Sequence, residues 1–298
     1  MPKSNSSTIR RSACRCARAS GNSIIDSILA FKLTLVPALI GGITLAGRRW
    51  GPGIAGWLSG FPVVTGPILL FVGLEQGPQF ASMTAAGALT GGIAWLAFAI
   101  AYSWAAMHMS WFAALAVGLA AWMSLGVALV YVAPPFVAVI VTIVVAVLLA
   151  PRLLPRPAPS TPAGDSSPVE IYARMIAGGA MTVAVTRLSP MLGPNFSGLL
   201  SVFPVMGIVL AAFSHRASGG AFAARLLRGM VSGFYAFTAY CVTVALAVPR
   251  VGVAWGFLLT LCLSLITHFC ILRWAGKHLR PASANRGLVS SGGADAKH

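Results

Sequence analysis

Long apolar runs constrain the fold of this chain more than any other feature. A helix needs about 20 apolar residues to cross the hydrocarbon core of a bilayer. Nine runs approach or exceed that length, at residues 24–46, 53–74, 79–103, 110–132, 134–150, 170–188, 195–213, 221–248 and 251–273. Charged residues make up only 9% of the chain, whereas a soluble domain carries about 25%. The sequence therefore predicts an all-α, polytopic membrane helix bundle of about nine transmembrane helices.

A stretch of the first half returns in the second half. The letters "GPGIAGWLSGFPV" (51–63) reappear 142 positions later as "GPNFSGLLSVFPV" (193–205), with eight of thirteen identical. The same offset aligns two G-x-x-x-G pairs, a spacing that lets helices pack closely. These helix-packing candidates are Gly87 and Gly91 in the first half and Gly229 and Gly233 in the second. We infer the duplication of a four-helix unit, over residues 24–132 and 170–274.

The two copies are predicted to have opposite orientations in the membrane. The run at 134–150 has no counterpart, so five spans precede the second copy, which then enters from the opposite face. Basic residues of short loops collect on the cytoplasmic side. With a cytoplasmic C-terminus, the inner segments hold ten of them, namely Arg48, Arg49, Arg152, Arg156, Arg216, Arg225, Arg228, Arg273, Lys277 and Arg280, and the outer loops hold Arg187 and Arg250.

The N-terminal tail disagrees with this orientation, because its five basic residues would lie outside. Either the tail lies upstream of the true start, or the number of spans is wrong by one. The first apolar run has a basic leader and a passable cleavage site at 44–47, as a signal peptide does. We interpret it as a permanent span, because its counterpart at 170–188 cannot be a signal peptide.

These observations divide the chain into six segments. They are 1–22, a disordered basic tail; 23–133, membrane repeat A; 134–150, a linking transmembrane helix; 151–168, a Pro-rich loop; 169–274, membrane repeat B; and 275–298, a disordered cytoplasmic tail. We expect a multi-pass membrane protein with its C-terminus in the cytoplasm.

Each repeat carries a Phe-Pro pair near the middle of its second apolar run. Pro62 and Pro204 each free the carbonyl four residues earlier, which must find a partner away from lipid. Ser59 and Ser201 could supply a hydroxyl there. Paired broken helices in inverted repeats point to a midplane binding site, although a kink that only shapes packing is the alternative. The candidate substrate-binding residues are Ser59, Phe61, Pro62, Ser201, Phe203 and Pro204.

Few ionisable side chains lie within or beside the apolar runs. Lys32 and Arg174 match at the 142-residue offset. They either snorkel to the interface or form cationic gates for an anionic solute, and we add both to the substrate-binding candidates. Glu75 is either a loop carboxylate or a proton site. We expect His268 to be an interfacial side chain rather than a proton relay.

Several function classes are disfavoured by composition. Metal-dependent and acid–base membrane enzymes need clustered Asp, Glu or His, and the five acidic residues are scattered. The cysteines form no metal-ligand pattern, and the basic residues end apolar runs instead of covering a soluble surface. We expect no enzyme activity, metal, cofactor or nucleic acid. The expected partners are the lipid bilayer and a small-molecule solute; a homo-oligomer or an envelope partner stays open.

The segment "AGWLSGFPVVTGPILLFVGLEQG" (55–77) resembles the core of the GlpM family of small inner-membrane proteins. The likeness rests on Ala55-Gly56, Phe61-Pro62 and Glu75-x-Gly77, of which the second copy keeps Gly198, Phe203-Pro204 and Gly219 but has Ala217 for Glu75. The resemblance implies a fused tandem of such units, a multi-pass protein of the bacterial inner (plasma) membrane, and no reaction. Inverted duplication and paired broken helices predict a small-solute transporter. The alternative is a non-transporting envelope-biogenesis or assembly factor of the GlpM-like type.

Overall fold

The computed structural model describes residues 33–157, 168–188 and 203–278, and over those ranges it contains helices and no strands. The helices are α1 (33–50), α2 (Pro52–Ser59), α3 (Thr65–Gln76), α4 (Pro78–Ala106), α5 (Trp111–Val132), α6 (Phe136–Leu153), α7 (Pro168–Leu188), α8 (Val205–Ser218), α9 (Gly220–Val251) and α10 (Val253–His278). The predicted tail at 1–22, the end of the C-terminal tail and most of the Pro-rich loop lie outside the described residues.

Five of these helices are long and apolar enough to cross a membrane: α4, α5, α6, α9 and residues Val253–Ile271 of α10. Large apolar side chains such as Phe112, Val141 and Leu258 point away from the protein, as in a multi-pass membrane protein. The other predicted runs correspond to α1, to α2 with α3, to α7 and to α8. Residues 24–32 and 189–202, which complete two of those runs, are not among the described residues.

Local sequence accounts for most helix boundaries. Pro52 and Pro78 begin α2 and α4, where a missing N–H costs nothing. Gly77 between α3 and α4 has φ 89° and ψ 170°, and Gly219 between α8 and α9 has φ 81° and ψ 169°. Only glycine adopts this conformation readily. The two junctions lie 142 residues apart in the sequence.

Two helices, α4 and α9, form the centre of the bundle and run antiparallel. The Ser82 hydroxyl donates to the Ala245 carbonyl at 2.8 Å, and Trp95 stacks on Phe234 with ring centroids 4.7 Å apart. At the other end, Gly220 lies against the Ala106 backbone. Helices α5 and α10 pack on α4 and α9 respectively, and α6 contacts both central helices.

A second antiparallel pair consists of α1 and α7. A β-carbon at Gly41 would lie 3.1 Å from the Met175 sulfur, and one at Gly179 would lie 3.5 Å from the Pro37 side chain. Early residues of α1 therefore face late residues of α7. In the 142-residue register α1 corresponds to α7 and α4 corresponds to α9, so both corresponding pairs run antiparallel.

Helices α6 and α10 extend into segments that the sequence predicted as loop and tail. Helix α6 continues to Leu153, through Pro151, and α10 continues to His278, four residues into the predicted tail. A proline restricts the residue before it more than those after it. A short helical extension past an apolar run carries no hydropathy signal, so neither difference was visible in the sequence.

Candidate functional site

The first Phe-Pro pair separates α2 from α3 inside the protein. Pro62 is buried, and the Val63 N–H donates to the Phe61 carbonyl at 2.8 Å. Helix α3 then begins with the Gly66 N–H bound to the Pro62 carbonyl at 2.8 Å. Residues 60–64 therefore form a tight, hydrogen-bonded interruption between two helices and are more than a bend in one.

The Ser59 hydroxyl does not bind the carbonyl that Pro62 frees, as the sequence had suggested; it has another partner. Its hydroxyl donates to the Gly56 carbonyl at 2.7 Å. The Leu58 carbonyl, which Pro62 leaves without its usual donor, accepts the Phe61 N–H at 3.4 Å instead. The backbone satisfies itself by tightening the last turn of α2, which is a common helix end.

The second Phe-Pro pair repeats the pattern of the first. The Val205 N–H donates to the Phe203 carbonyl at 2.7 Å, and the Ile208 N–H donates to the Pro204 carbonyl at 2.8 Å. Pro204 is buried and has φ −76° and ψ 50°, close to an inverse γ-turn. Both hydrogen bonds correspond to those of the first break at the 142-residue offset. Ser201 lies outside the described residues.

The break of repeat A packs on helices of repeat B. The Phe61 ring lies 4.9 Å from the His268 ring of α10. The Tyr240 hydroxyl of α9 donates to the Gly66 carbonyl at 3.2 Å in a buried position. The first turn of α3 is thus held by α9, and the residue before the break is held by α10.

The break of repeat B packs in the reverse way, on helices of repeat A. The Phe203 ring lies 5.1 Å from the Trp122 ring of α5. A β-carbon at Gly207 would lie 3.4 Å from the Phe98 ring of α4. Phe98 and Tyr240 correspond at the 142-residue offset. Each break is therefore enclosed by the third and fourth helices of the other repeat.

Polar atoms without a protein partner are buried beside the two breaks. They are Nε1 of Trp57, Nδ1 of His268 and Nε1 of Trp122. Such atoms in an apolar interior destabilise a fold by about 1–3 kcal/mol each unless something binds them. The three ring nitrogens are therefore the groups near the breaks that are available to a polar solute or to water.

His268, expected to be an interfacial side chain, is buried within the bundle. Its side chain is 5% exposed, and its ring stacks on Trp57 with centroids 3.8 Å apart and planes 17° apart. The contact joins α10 to α2, whose residues are far apart in the chain. No local pattern predicts such a long-range aromatic contact.

The predicted charged residues have different environments. Arg174 is 6% exposed and pairs with Glu170 at 2.5 Å, so its guanidinium does not snorkel into water. Lys32 is not among the described residues. Glu75 is exposed at the end of α3, far from both breaks in sequence. Of the three, Arg174 is the one that the structure places inside the bundle.

The glycines of the second G-x-x-x-G pair contact another helix closely. A β-carbon at Gly233 would lie 2.7 Å from Gly60 Cα, and one at Gly229 would lie 3.1 Å from Gly56 Cα. In the first pair, Gly91 is buried but Gly87 is exposed, and no neighbouring atom lies within 4 Å of the position that a β-carbon at Gly87 would take. The spacing Gly56-x-x-x-Gly60 is visible in the repeated stretch and could have indicated this partner of α9.

The sequence did not predict two further features of the structure. Arg48 was counted only as a loop charge, yet it lines a small cavity together with Arg174. The Tyr102 hydroxyl and His215 Nδ1 lie 3.3 Å apart in a buried contact between α4 and α8. Both depend on helices that are distant in the sequence.

The chain matches no known family model, no curated protein and no solved structure. Among the described residues, no group of three or more His, Cys, Asp or Glu side chains is placed to hold a metal ion. The geometry of the breaks is therefore the basis on which a function is inferred.

Proposed function

We propose that this protein is a small-solute permease of the bacterial inner membrane. Its binding site lies near the bilayer midplane, where the breaks at Phe61-Pro62 and Phe203-Pro204 face the interior of two inverted repeats. We call the end of the bundle that carries Arg48, Arg174, Arg216 and Arg225 its arginine-rich end. This end and the C-terminus lie in the cytoplasm.

One observation supports this proposal above the others: the two breaks have the same hydrogen bonds, 142 residues apart, and each packs on the other repeat. The corresponding helices α4 and α9 run antiparallel, which favours an inverted arrangement. Discontinuous helices at corresponding positions of inverted repeats form the midplane sites of many secondary transporters. A proline kink that served only packing would not require each break to pack on the other repeat.

The chemistry at the breaks fits a polar solute. Helix termini leave N–H and C=O groups outside the helical ladder, and at the first break α2 ends and α3 begins inside the protein. The ring nitrogens of Trp57, His268 and Trp122 add polar atoms to an otherwise aromatic lining. Rocking of one repeat against the other would expose this region to each face in turn, as alternating access requires.

Replacing both prolines tests the proposal. We expect wild-type proteoliposomes to take up at least one of glycerol, alanine, potassium acetate and potassium chloride, the salts with valinomycin, faster than empty liposomes. The P62A/P204A variant should fall to the empty-liposome rate, because alanine restores an N–H and allows each broken helix to close. Stopped-flow light scattering measures the uptake.

The matched control is Pro135→Ala, at the exposed start of α6, which should keep the wild-type rate. A single symmetric peak in gel filtration shows that each variant is folded. No uptake of any solute by the wild type, with co-purification of an envelope protein, would contradict the permease and favour the GlpM-like assembly factor. A double variant that transports normally would reduce the breaks to packing features.

A further inference from the structure

A small cavity opens where five helices meet at the arginine-rich end of the bundle. Its lining includes Thr44 and Arg48 of α1, Pro52 at the start of α2, Arg174 of α7 and Ser214 of α8. Its volume is about 20 Å³, which is enough for one particle of the size of a water molecule. The wall is therefore built mainly from the ends of helices, near the membrane surface.

Arg174 lines this cavity and has an unused donor. Its side chain is 7% exposed, and its Nη2 donates to Glu170 Oε1 at 2.5 Å. Its Cζ lies 5.8 Å from the centre of the Phe213 ring, on α8. The Nε atom is buried and has no protein partner, so packing holds the guanidinium in place while one N–H stays free.

Arg48 presents a second donor of the same kind. Its side chain is half-buried, and its Nε is buried without a protein partner. A guanidinium stays protonated under all physiological conditions and carries five N–H donors. Two such groups therefore line one cavity that holds about a single small particle.

The charges around the cavity do not cancel. Among the described residues, two guanidinium groups at the cavity meet one carboxylate, that of Glu170, which leaves one net positive charge. The helix dipoles contribute little, because α1 and α8 end here while α2 and α9 begin here, and those effects have opposite signs. A buried charge is costly unless a counter-charge with hydrogen bonds accompanies it. A bound anion supplies that counter-charge.

We propose that this cavity binds one small monovalent anion, either a halide or the carboxylate group of a small organic acid whose remaining atoms extend out of the open side of the cavity. The anion accepts hydrogen bonds from Nε of Arg48 and Nε of Arg174. This inference rests on the permease function proposed above, for which it names the substrate class and a cytoplasmic entrance. Binding at the cavity is measurable without flux, so the two proposals can fail separately.

Thermal unfolding of the purified full-length chain in detergent tests binding. Sodium chloride, sodium acetate and sodium gluconate are compared at equal ionic strength, since gluconate is too large for the cavity. We expect chloride or acetate to raise the melting temperature above the gluconate value. The Arg48→Gln variant should weaken the apparent affinity by about tenfold, because it removes one hydrogen bond to a charged group.

A second variant guards against simple misfolding. Replacing Arg174 alone would leave Glu170 buried without its partner, so Glu170→Gln and Arg174→Gln are combined, and the same loss of affinity is expected. The matched control is Arg49→Gln. It removes an equal charge at the residue next to Arg48, and the Arg49 side chain does not line this cavity. Its affinity for the anion should be unchanged.

Each outcome decides the inference. Stabilisation by chloride alone identifies an inorganic anion, and stabilisation by acetate alone identifies a carboxylate; both support the site. Equal melting temperatures in the three salts would overturn it, as would an equal loss in the Arg49→Gln variant. Anion binding without uptake in proteoliposomes would support the anion site and contradict the permease function. Anion uptake that is unchanged by Arg48→Gln would support the permease function and contradict the anion site.

Discussion

Two glycines at corresponding positions of the sequence repeat have opposite environments. Gly229 of α9 lies against α2, where a β-carbon would approach Gly56 Cα to 3.1 Å and the Gly53 carbonyl oxygen more closely still. Gly87 of α4 has no neighbouring atom within 4 Å of that position. Backbone atoms cannot rotate away as a flexible side chain can, so the two sites should respond to a methyl group with opposite signs.

The residue-scale prediction is that Gly229→Ala lowers the thermal stability of the protein while Gly87→Ala does not. Overpacking against a rigid neighbour costs about 1–3 kcal/mol. At an open helical position, alanine is favoured over glycine by about 0.8–1.0 kcal/mol. The fraction of protein that stays monodisperse after heating in detergent measures the effect. Equal losses for both variants would show that α2 does not pack on Gly229 as described.

At the scale of elements, the helix junctions depend on backbone conformation. Gly77 and Gly219 have φ near 85° with ψ near 170°, with open space for a side chain at both. This region of backbone space is essentially restricted to glycine, and other residues there cost about 1–3 kcal/mol. Any effect of a methyl group at these junctions must therefore come from backbone strain.

We expect Gly77→Ala and Gly219→Ala each to lower the apparent melting temperature, and by similar amounts. The control is Gly42→Ala within α1, where the backbone is helical and no atom lies within 4 Å of a β-carbon. That variant should melt at or above the wild-type temperature. Differential scanning fluorimetry in detergent compares the three. A loss at only one junction would mean that the two do not share a conformation.

The elements that the sequence predicted well are those set by local chemistry. Apolar runs located the described helices, and Pro62 located the break between α2 and α3, since a proline removes a backbone donor wherever it stands. The residues that these helices pack against could not be predicted from local sequence in the same way. His268 stacks on Trp57 of α2, and Arg48 shares a cavity with Arg174 of α7. Such contacts join residues more than 120 positions apart in sequence, and local hydropathy carries no information about them.

At the scale of the whole molecule, the orientation of the repeats follows from how corresponding helices meet. Helices α4 and α9 run antiparallel along their length, as do α1 and α7. A two-fold axis lying in the membrane plane would relate such pairs, whereas an axis along the membrane normal would make them parallel. Corresponding loops of the two repeats should therefore lie on opposite faces of the membrane.

Cysteine labelling at corresponding positions tests this orientation. The five native cysteines are first replaced by serine, and Glu75→Cys and Ala217→Cys are then made singly, since both positions are exposed and correspond at the 142-residue offset. In intact cells a membrane-impermeant maleimide should label Glu75→Cys, whereas Ala217→Cys should react only after lysis. Tyr131→Cys, exposed near the end of α5, and Met109→Cys, exposed between α4 and α5, calibrate the outer and inner faces. Labelling of both test positions from one side would rule out inverted repeats, and the midplane site would then lose its architectural basis.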